Sequence, residues 1–447
     1  MRKEQFLSLC ILFAFGCNKD VCDLPADQCH TYNNEENCEQ TLIASSQVAA
    51  DVNQYLHPIQ DSDPERGFED LEALGNLVGD TPLVGLGEAT HGTLEFFQMK
   101  DRIFRHLVTN HGFNAFGFEA TWGGALYVND YIINGVGSAE VAMQKMQFWT
   151  WYTEEVKALI GWMHDYNLTK PVGEKIYFYG FDMQSGIEER YWIDKYLEEY
   201  LPDIKQEVLT PIDNFLSVAN FSEYPNISLS TQQEFKSKLN NSKQLFEDNE
   251  DELVQSSSQK EYDLIAYAFE ILLQFEDILD SSSGFSRDYY MAVNSRWIRS
   301  YIGGNAKVAL WAHNGHITKR GTYASQGFYL AESEADRYKA IGFSFSKGKF
   351  QAIGSVGTLT TNNTVAEPDC ESGNQVLSLT EADNFYLIFN EMDPEGLSFE
   401  YFNKYNSYLS IGALFNPNAY DPYRRYIQAE AYDILVHFDS TVSAIPL

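Results

Sequence analysis

The chain has 447 residues, 44% hydrophobic and 15% aromatic. That is too long and too apolar for a disordered polymer, and enough for one large or two ordinary domains. Against 31 Lys and Arg stand 64 Asp and Glu, a net charge of −33 that repels phosphate backbones and argues against nucleic acid as a partner.

The chain opens with Arg2 and Lys3, followed by an apolar run from Phe6 to Gly16 that is too short to span a bilayer as a helix. Residues 1–16 are therefore expected to be a signal peptide. The string Ala14-Phe15-Gly16-Cys17 resembles a bacterial lipobox, at which the signal is cleaved and Cys17 becomes the lipidated N-terminus. The expected location is an exported lipoprotein, membrane-anchored on the periplasmic or outer surface side, with plain secretion as the alternative. Residues 17–48 read as a polar tether carrying Cys22, Cys29 and Cys38. With Cys370 these make an even number in a compartment that permits disulfides. A bridge would staple the tether to itself or to the loop carrying Cys370, and the sequence does not choose. A zinc site built on His30 and these cysteines lacks a paired Cys-x₂-Cys spacing.

From Ala49 onward short apolar runs alternate with long amphipathic ones, the pattern of an α/β fold. Four short runs end on an acid or a histidine: Leu83–Leu86 before Gly87-Glu88-Ala89-Thr90-His91-Gly92, Ala115–Phe118 before Glu119, Ile176–Phe181 before Asp182, and Val308–Ala312 before His313. In a parallel sheet those ends lie on one edge, where α/β folds place their ligands. Helices are expected over Thr93–Asn110, Gly124–Ile133 and Ile187–Tyr200. The first carries Phe96, Phe97, Ile103, Phe104 and Leu107 on one stripe. Residues 185–305 read as an acidic helical insertion or lid over the C-terminal edge of the strands, with helices at 232–247, 261–279 and 287–301 and Ser-rich turns at 256–258 and 281–283. Strands at 340–344, 385–389 and 434–438 then complete the sheet. The expected whole is one α/β catalytic domain over 49–447, with a largely parallel central sheet flanked by helices.

Glu88 and His91 sit three residues apart in a glycine-flanked loop. An imidazole is suited to taking a proton from water near neutral pH, and a carboxylate can fix its tautomer. His313-Asn314-Gly315-His316 adds two imidazoles after a strand that must be buried, in a chain with only 9 His. One of them would polarise a carbonyl, although rings that merely cap the loop's backbone carbonyls fit the same spacing. Glu119 is either a second carboxylate of the site or a partner for the next helix's N-terminus, where Thr121 is the competing cap. The same acids and histidines would serve a one- or two-metal hydrolase, yet no His-x-His, His-Glu-x-x-His or paired-Asp spacing demands a metal. Gly-x-Ser-x-Gly and Walker-type loops are absent from the sequence.

Together the strings Gly87-Glu88-x-x-His91-Gly92, Gly117-Phe118-Glu119, Tyr179-Gly180-Phe181-Asp182, Arg287-Asp288-Tyr289-Tyr290-Met291-Ala292-x-Asn294 and Trp311-Ala312-His313-Asn314-Gly315-His316 resemble the erythromycin esterase family, in the family's order. The resemblance runs from about Asp80 to the C-terminus. It implies a hydrolase without metal or other cofactor that adds water to an ester, in the family's case a macrolide lactone. On that template His91 matches the general base, Glu88 and Glu119 the supporting carboxylates, and His313 and His316 the second pair of histidines. Arg102, or Lys100 two positions earlier, would supply the positive charge kept near the site. Asp182, Trp122 and Arg287 are assigned with them to substrate binding. The expected partners are a small ester or lactone and, through the lipid anchor, a membrane; no protein partner is inferred. A metal-dependent hydrolase using the same cleft and a surface-anchored binding protein without catalysis stand as alternatives.

Overall fold

The short apolar runs are strands and the long amphipathic ones helices in the computed structural model, which describes residues 35–280, 284–354, 357–416 and 421–447. The expected signal segment 1–16, the lipidation site Cys17, the side chains of Cys22, Cys29 and His30, and the turn at 281–283 lie outside the described residues. In chain order the strands are β1 (His57–Pro58), β2 (Leu83–Leu86), β3 (Ala115–Thr121), β4 (Tyr177–Asp182), β5 (Val308–Trp311), β6 (Tyr338–Ile353), β7 (Leu359–Val365), β8 (Asn384–Ile388), β9 (Tyr405–Leu409), β10 (Tyr423–Ile427) and β11 (Ile434–Thr441). The fold is a mixed α/β one, a central sheet of mostly parallel strands flanked by helices.

The chain divides into two compact units. The first comprises the described residues within Met1–Asn114, Trp149–Leu159 and Lys307–Leu447. In it β11, β6, β2 and β5 run parallel, with Leu86 paired to Trp311 across β2 and β5. β8 joins β11 antiparallel, β1 joins β8, and β7 returns along β6. β2 and β5 are buried at every position, as strands covered on both faces must be. The helix Leu94–His111 lays Phe96, Phe97, Ile103, Phe104 and Leu107 into the core, as its period requires, and stops where Gly112 turns left-handed at φ 71°.

One expectation fails in this unit. The tether does not extend to residue 48, because a helix runs over Glu35–Val52. Cys38 in its first half is bonded to Cys370, and Asp51 near its end accepts hydrogen bonds from the backbone N–H and hydroxyl of Ser398 at 2.9 and 2.7 Å. A segment read as polar linker is thus fixed at both ends by residues more than 300 positions away.

The second unit comprises Ala115–Phe148 and Ile160–Ala306. β3 and β4 pair in parallel, and the helices at Trp122–Asn134, Ile187–Tyr200, Leu229–Glu247, Gln259–Leu279 and Arg287–Ile302 fall within one to three residues of the expected ones. Ser258 caps the Gln259–Leu279 helix by accepting from the N–H of Glu261, and its hydroxyl donates to the Glu261 carboxylate at 3.1 Å. Thr121 gives no such side-chain cap to Trp122–Asn134. Glu189, in the first turn of Ile187–Tyr200, reaches that helix instead, accepting the N–H of Gly123 at 2.7 Å. Glu189 is fully buried, and its second oxygen has no hydrogen-bond partner among the described residues. Burial pushes its carboxyl up to about 8, against the pull of the backbone N–H groups.

Two predictions follow from these anchors. Cys370→Ser should cost on the order of 2–4 kcal/mol of stability, seen as a lower denaturation midpoint together with faster proteolysis within Glu35–Val52. Because Glu189 holds a proton when folded that it releases when unfolded, stability falls as pH rises from about 4.5 towards about 8. Glu189→Gln keeps the bond to Gly123 and removes that dependence, so its Tm should drop less than the wild type's between pH 5 and 8.5. Parallel Tm–pH curves would refute the assignment.

Candidate active site

Glu88 is fully buried three residues before His91, in the loop between β2 and the helix Leu94–His111. Its Oε1 accepts from Nδ1 of His91 at 2.6 Å. Its Oε2 accepts from the indole N–H of Trp311 at 2.8 Å and from the ammonium of Lys100, which is itself fully buried. Burial pushes the Glu88 carboxyl up, but the Lys100 charge beside it and the bonds from His91 and Lys100 together hold it below the ordinary carboxylate value. Glu88 is therefore an ionised, fully partnered group. It orients rather than accepts a proton.

Because the carboxylate can only accept, Nδ1 of His91 carries the hydrogen of that bond and Nε2 is the basic nitrogen of the neutral ring. The ring is 12% exposed and lies 5.0 Å, centroid to centroid, from that of His313. Nδ1 of His313 accepts the N–H of Gly315 at 3.1 Å, as the N-cap of the short helix Asn314–Ile317, so its neutral ring carries hydrogen on Nε2. His313 thus caps a backbone N–H rather than a carbonyl, which leaves the other ring nitrogen a donor. Two imidazoles of opposite sense, one basic at Nε2 and one donating there, stand side by side. His316 follows on the same short helix and is buried.

The two loops are tied to one edge of the sheet. Asn314 accepts from the N–H of Phe343 and donates to its carbonyl, at 3.0 and 2.7 Å, while its own N–H bonds the Glu88 carbonyl at 2.9 Å. Gly87 and Gly92 are needed for close approach rather than for a left-handed turn. A Cβ on Gly87 would sit 2.1 Å from the Asn314 amide oxygen, and one on Gly92 2.4 Å from the carbonyl of Gln351.

A second cluster belongs to the other unit. Glu119 and Asp182 are bridged by Arg287, whose Nη2 donates to both at 2.7 Å and whose Nε reaches Asp182 at 3.1 Å. Glu119 is thus held by an arginine. β3 does not end at Glu119 but continues to Thr121, with a register shift between Phe118 and Thr121 that re-aims the residues between them. The charges of Asp182 and Glu119 outweigh burial and keep Arg287 firmly protonated.

Two assignments need correction. Arg102 does not stand near Glu88: two positions along a helix are about 200° round it, so Lys100 and Arg102 face opposite ways. Arg102 is bonded to Asp70 and to the carbonyls of Asp61 and Gly67, fastening the loop before the helix. Trp122 is fully buried with its ring near those of Tyr267 and Trp297, so it is core rather than a binding surface. Trp311 and Asn314 were visible only as members of a motif. The usable signal for Trp311 was a polar N–H at a buried strand end, which has to find an acceptor. Among the described residues no group of three or more His, Cys, Asp or Glu is arranged to hold a metal ion.

The sequence model of the erythromycin esterase family matches residues 108–441. Erythromycin esterase type II of Escherichia coli is 23% identical over 373 residues, covering 76% of this chain and 88% of that protein. A solved Bacillus cereus protein superposes with a TM-score of 0.81 at 25% identity, over 90% of this chain and 99% of the other. The erythromycin esterase EreC, in its open conformation, shares the fold with a TM-score of 0.63 at 18% identity, over 86% and 97% of the two chains.

Removing one member of a buried ion pair leaves the other charge stranded. Lys100→Met should thus cost about 3–5 kcal/mol, and adding Glu88→Gln should restore part of it. A double-mutant cycle by urea denaturation in which the two losses simply add would show that the pair is not coupled.

Proposed function

This chain belongs to the erythromycin esterase family, and we propose that it hydrolyses an ester or lactone by direct attack of water, with His91 as general base. The observation that carries the reading is the 2.6 Å bond from His91 Nδ1 to a Glu88 carboxylate whose other oxygen is already occupied. That bond leaves Nε2 to take the proton as the water oxygen attacks the carbonyl carbon. Nε2–H of His313 donates to the carbonyl oxygen as it gains charge. Collapse of the tetrahedral intermediate expels the alkoxide, which recovers the proton from His91 and gives a carboxylic acid and an alcohol, joined in one molecule when the substrate is a lactone.

We propose a metal-independent reaction: Lys100 already supplies the positive charge that balances Glu88, with Trp311 on the same oxygen and His91 on the other. Within the second unit, Glu119 is proposed as a supporting carboxylate and Arg287 as a substrate-binding cation, on the family's pattern alone. A macrolide ring is the proposed substrate, on the strength of what the Escherichia coli relative is named for. Export and anchoring through Cys17 are proposed as well, supported by the Cys38–Cys370 bridge, which fits an oxidising compartment.

The test incubates the protein with erythromycin and a panel of simple esters and lactones, with and without chelator, and looks by mass spectrometry for one added water. The expected result is chelator-insensitive hydrolysis that falls roughly 10²–10⁴-fold in His91→Ala. Full activity in that variant would remove His91 as the base, and loss of activity to chelator would favour a metal. Tight binding of a ligand recovered unchanged would favour the non-catalytic alternative.

A further inference from the structure

Trp311 is the last residue of β5, paired with Leu86 two positions before Glu88. Its indole is fully buried and wedged edge-on against Phe97 and Trp151, at centroid distances of 5.0 and 5.8 Å. Packing of this kind fixes a ring's plane and so aims its N–H. The N–H meets Glu88 Oε2 at 2.8 Å. The ring face does separate work: the Lys100 ammonium lies 4.2 Å from the centroid, near enough for a cation–π attraction in a site without solvent. One side chain therefore touches both members of the buried ion pair. Phe97 also flanks the ammonium, at 5.8 Å from its ring centroid, but offers no hydrogen to the carboxylate.

A carboxylate held by a single lysine can pivot, because an ammonium is a point charge with rotatable donors and imposes no plane. A second donor of fixed direction on the same oxygen removes that freedom. Oε2 is held from two sides, and Oε1 is left to face His91. We propose that Trp311 is a positioning residue for the hydrolysis: with Lys100 it locks the Glu88 carboxylate so that Oε1 meets only Nδ1 of His91, which keeps the base in the tautomer with Nε2 free. This deepens the reading of His91 as general base and rests on it.

Trp311→Phe keeps most of the ring and its face for Lys100 and deletes the N–H. In the wild type, nitrogen NMR of ¹⁵N-labelled histidine should show neutral His91 as one tautomer, protonated at Nδ1. In Trp311→Phe the expected result is a mixture of tautomers, with kcat down roughly tenfold and KM within about twofold. Ile103→Val, a core change on the same helix away from the ion pair, should lower Tm without changing the tautomer or kcat. A folded Trp311→Phe with an unchanged tautomer and unchanged kcat overturns the proposal, as does Ile103→Val reproducing its effects. If Trp311→Phe does not fold, the indole N–H of Trp311 is followed in Glu88→Gln, where its resonance should move and its hydrogen exchange quicken at least tenfold; no change overturns the proposal. The tautomer is read without turnover. A wild type that hydrolyses nothing while its tautomer responds to Trp311→Phe would count against the esterase reading and leave the positioning role supported.

Discussion

A carboxylate buried without solvent costs several kcal/mol unless opposite charge and directed donors surround it, and Glu88 is such a group. Much of the first unit's local design follows from meeting that demand. Lys100 has to be on the inner face of its helix, Trp311 has to end a strand in register with β2, and His91 has to come three residues after the carboxylate. The glycines on either side make room for the groups that close the loop. An ion pair buried this deeply is weak evidence for stability, since hydrophobic side chains of the same volume often do as well. On the proposed reading its contribution is orientation, since it fixes the tautomer of one imidazole.

The second unit meets a comparable demand differently. Two carboxylates, Glu119 and Asp182, share the one planar guanidinium of Arg287, which donates to both at once. An arginine suits this because its fork has fixed directions, where a lysine would supply charge without geometry. Glu189 takes the opposite course and stays neutral, since it has only backbone donors and no cation facing it. In a chain of net charge −33 the fate of each buried acid depends on which cations reach it.

Much of this was legible in the sequence. Helical period and strand runs located the helices of the second unit to within a few residues, because amphipathic patterns of that length leave little choice. The glycine-flanked Glu88–His91 string and the His313 loop announced a pair of strand ends, and parallel pairing of β2 with β5 puts them on one edge. What was not legible depended on distance in space. The Cys38 partner lies 332 residues away, so spacing could not choose it. The Glu35–Val52 helix looked like linker because its stability comes from that bridge and from Ser398 rather than from a strong apolar stripe. Between Lys100 and Arg102 the helical phase could have decided, had the inward stripe of Phe96, Phe97, Ile103 and Phe104 been extended to ask which charge shares its face. Trp122 failed for a general reason: an aromatic beside a strand end is more often core than cleft.

The same reasoning bears on how a relative at 23% identity can still cover 88% of its length with this chain. The buried constellation in the first unit needs few specified residues: a carboxylate, its cation, one aimed N–H, the imidazoles, and glycines where a Cβ would collide. Elsewhere the sheet asks only for apolar residues of suitable volume, which cores accept in many combinations. Helices of the second unit ask for period and caps. A fold specified in these terms can be shared at 23% identity.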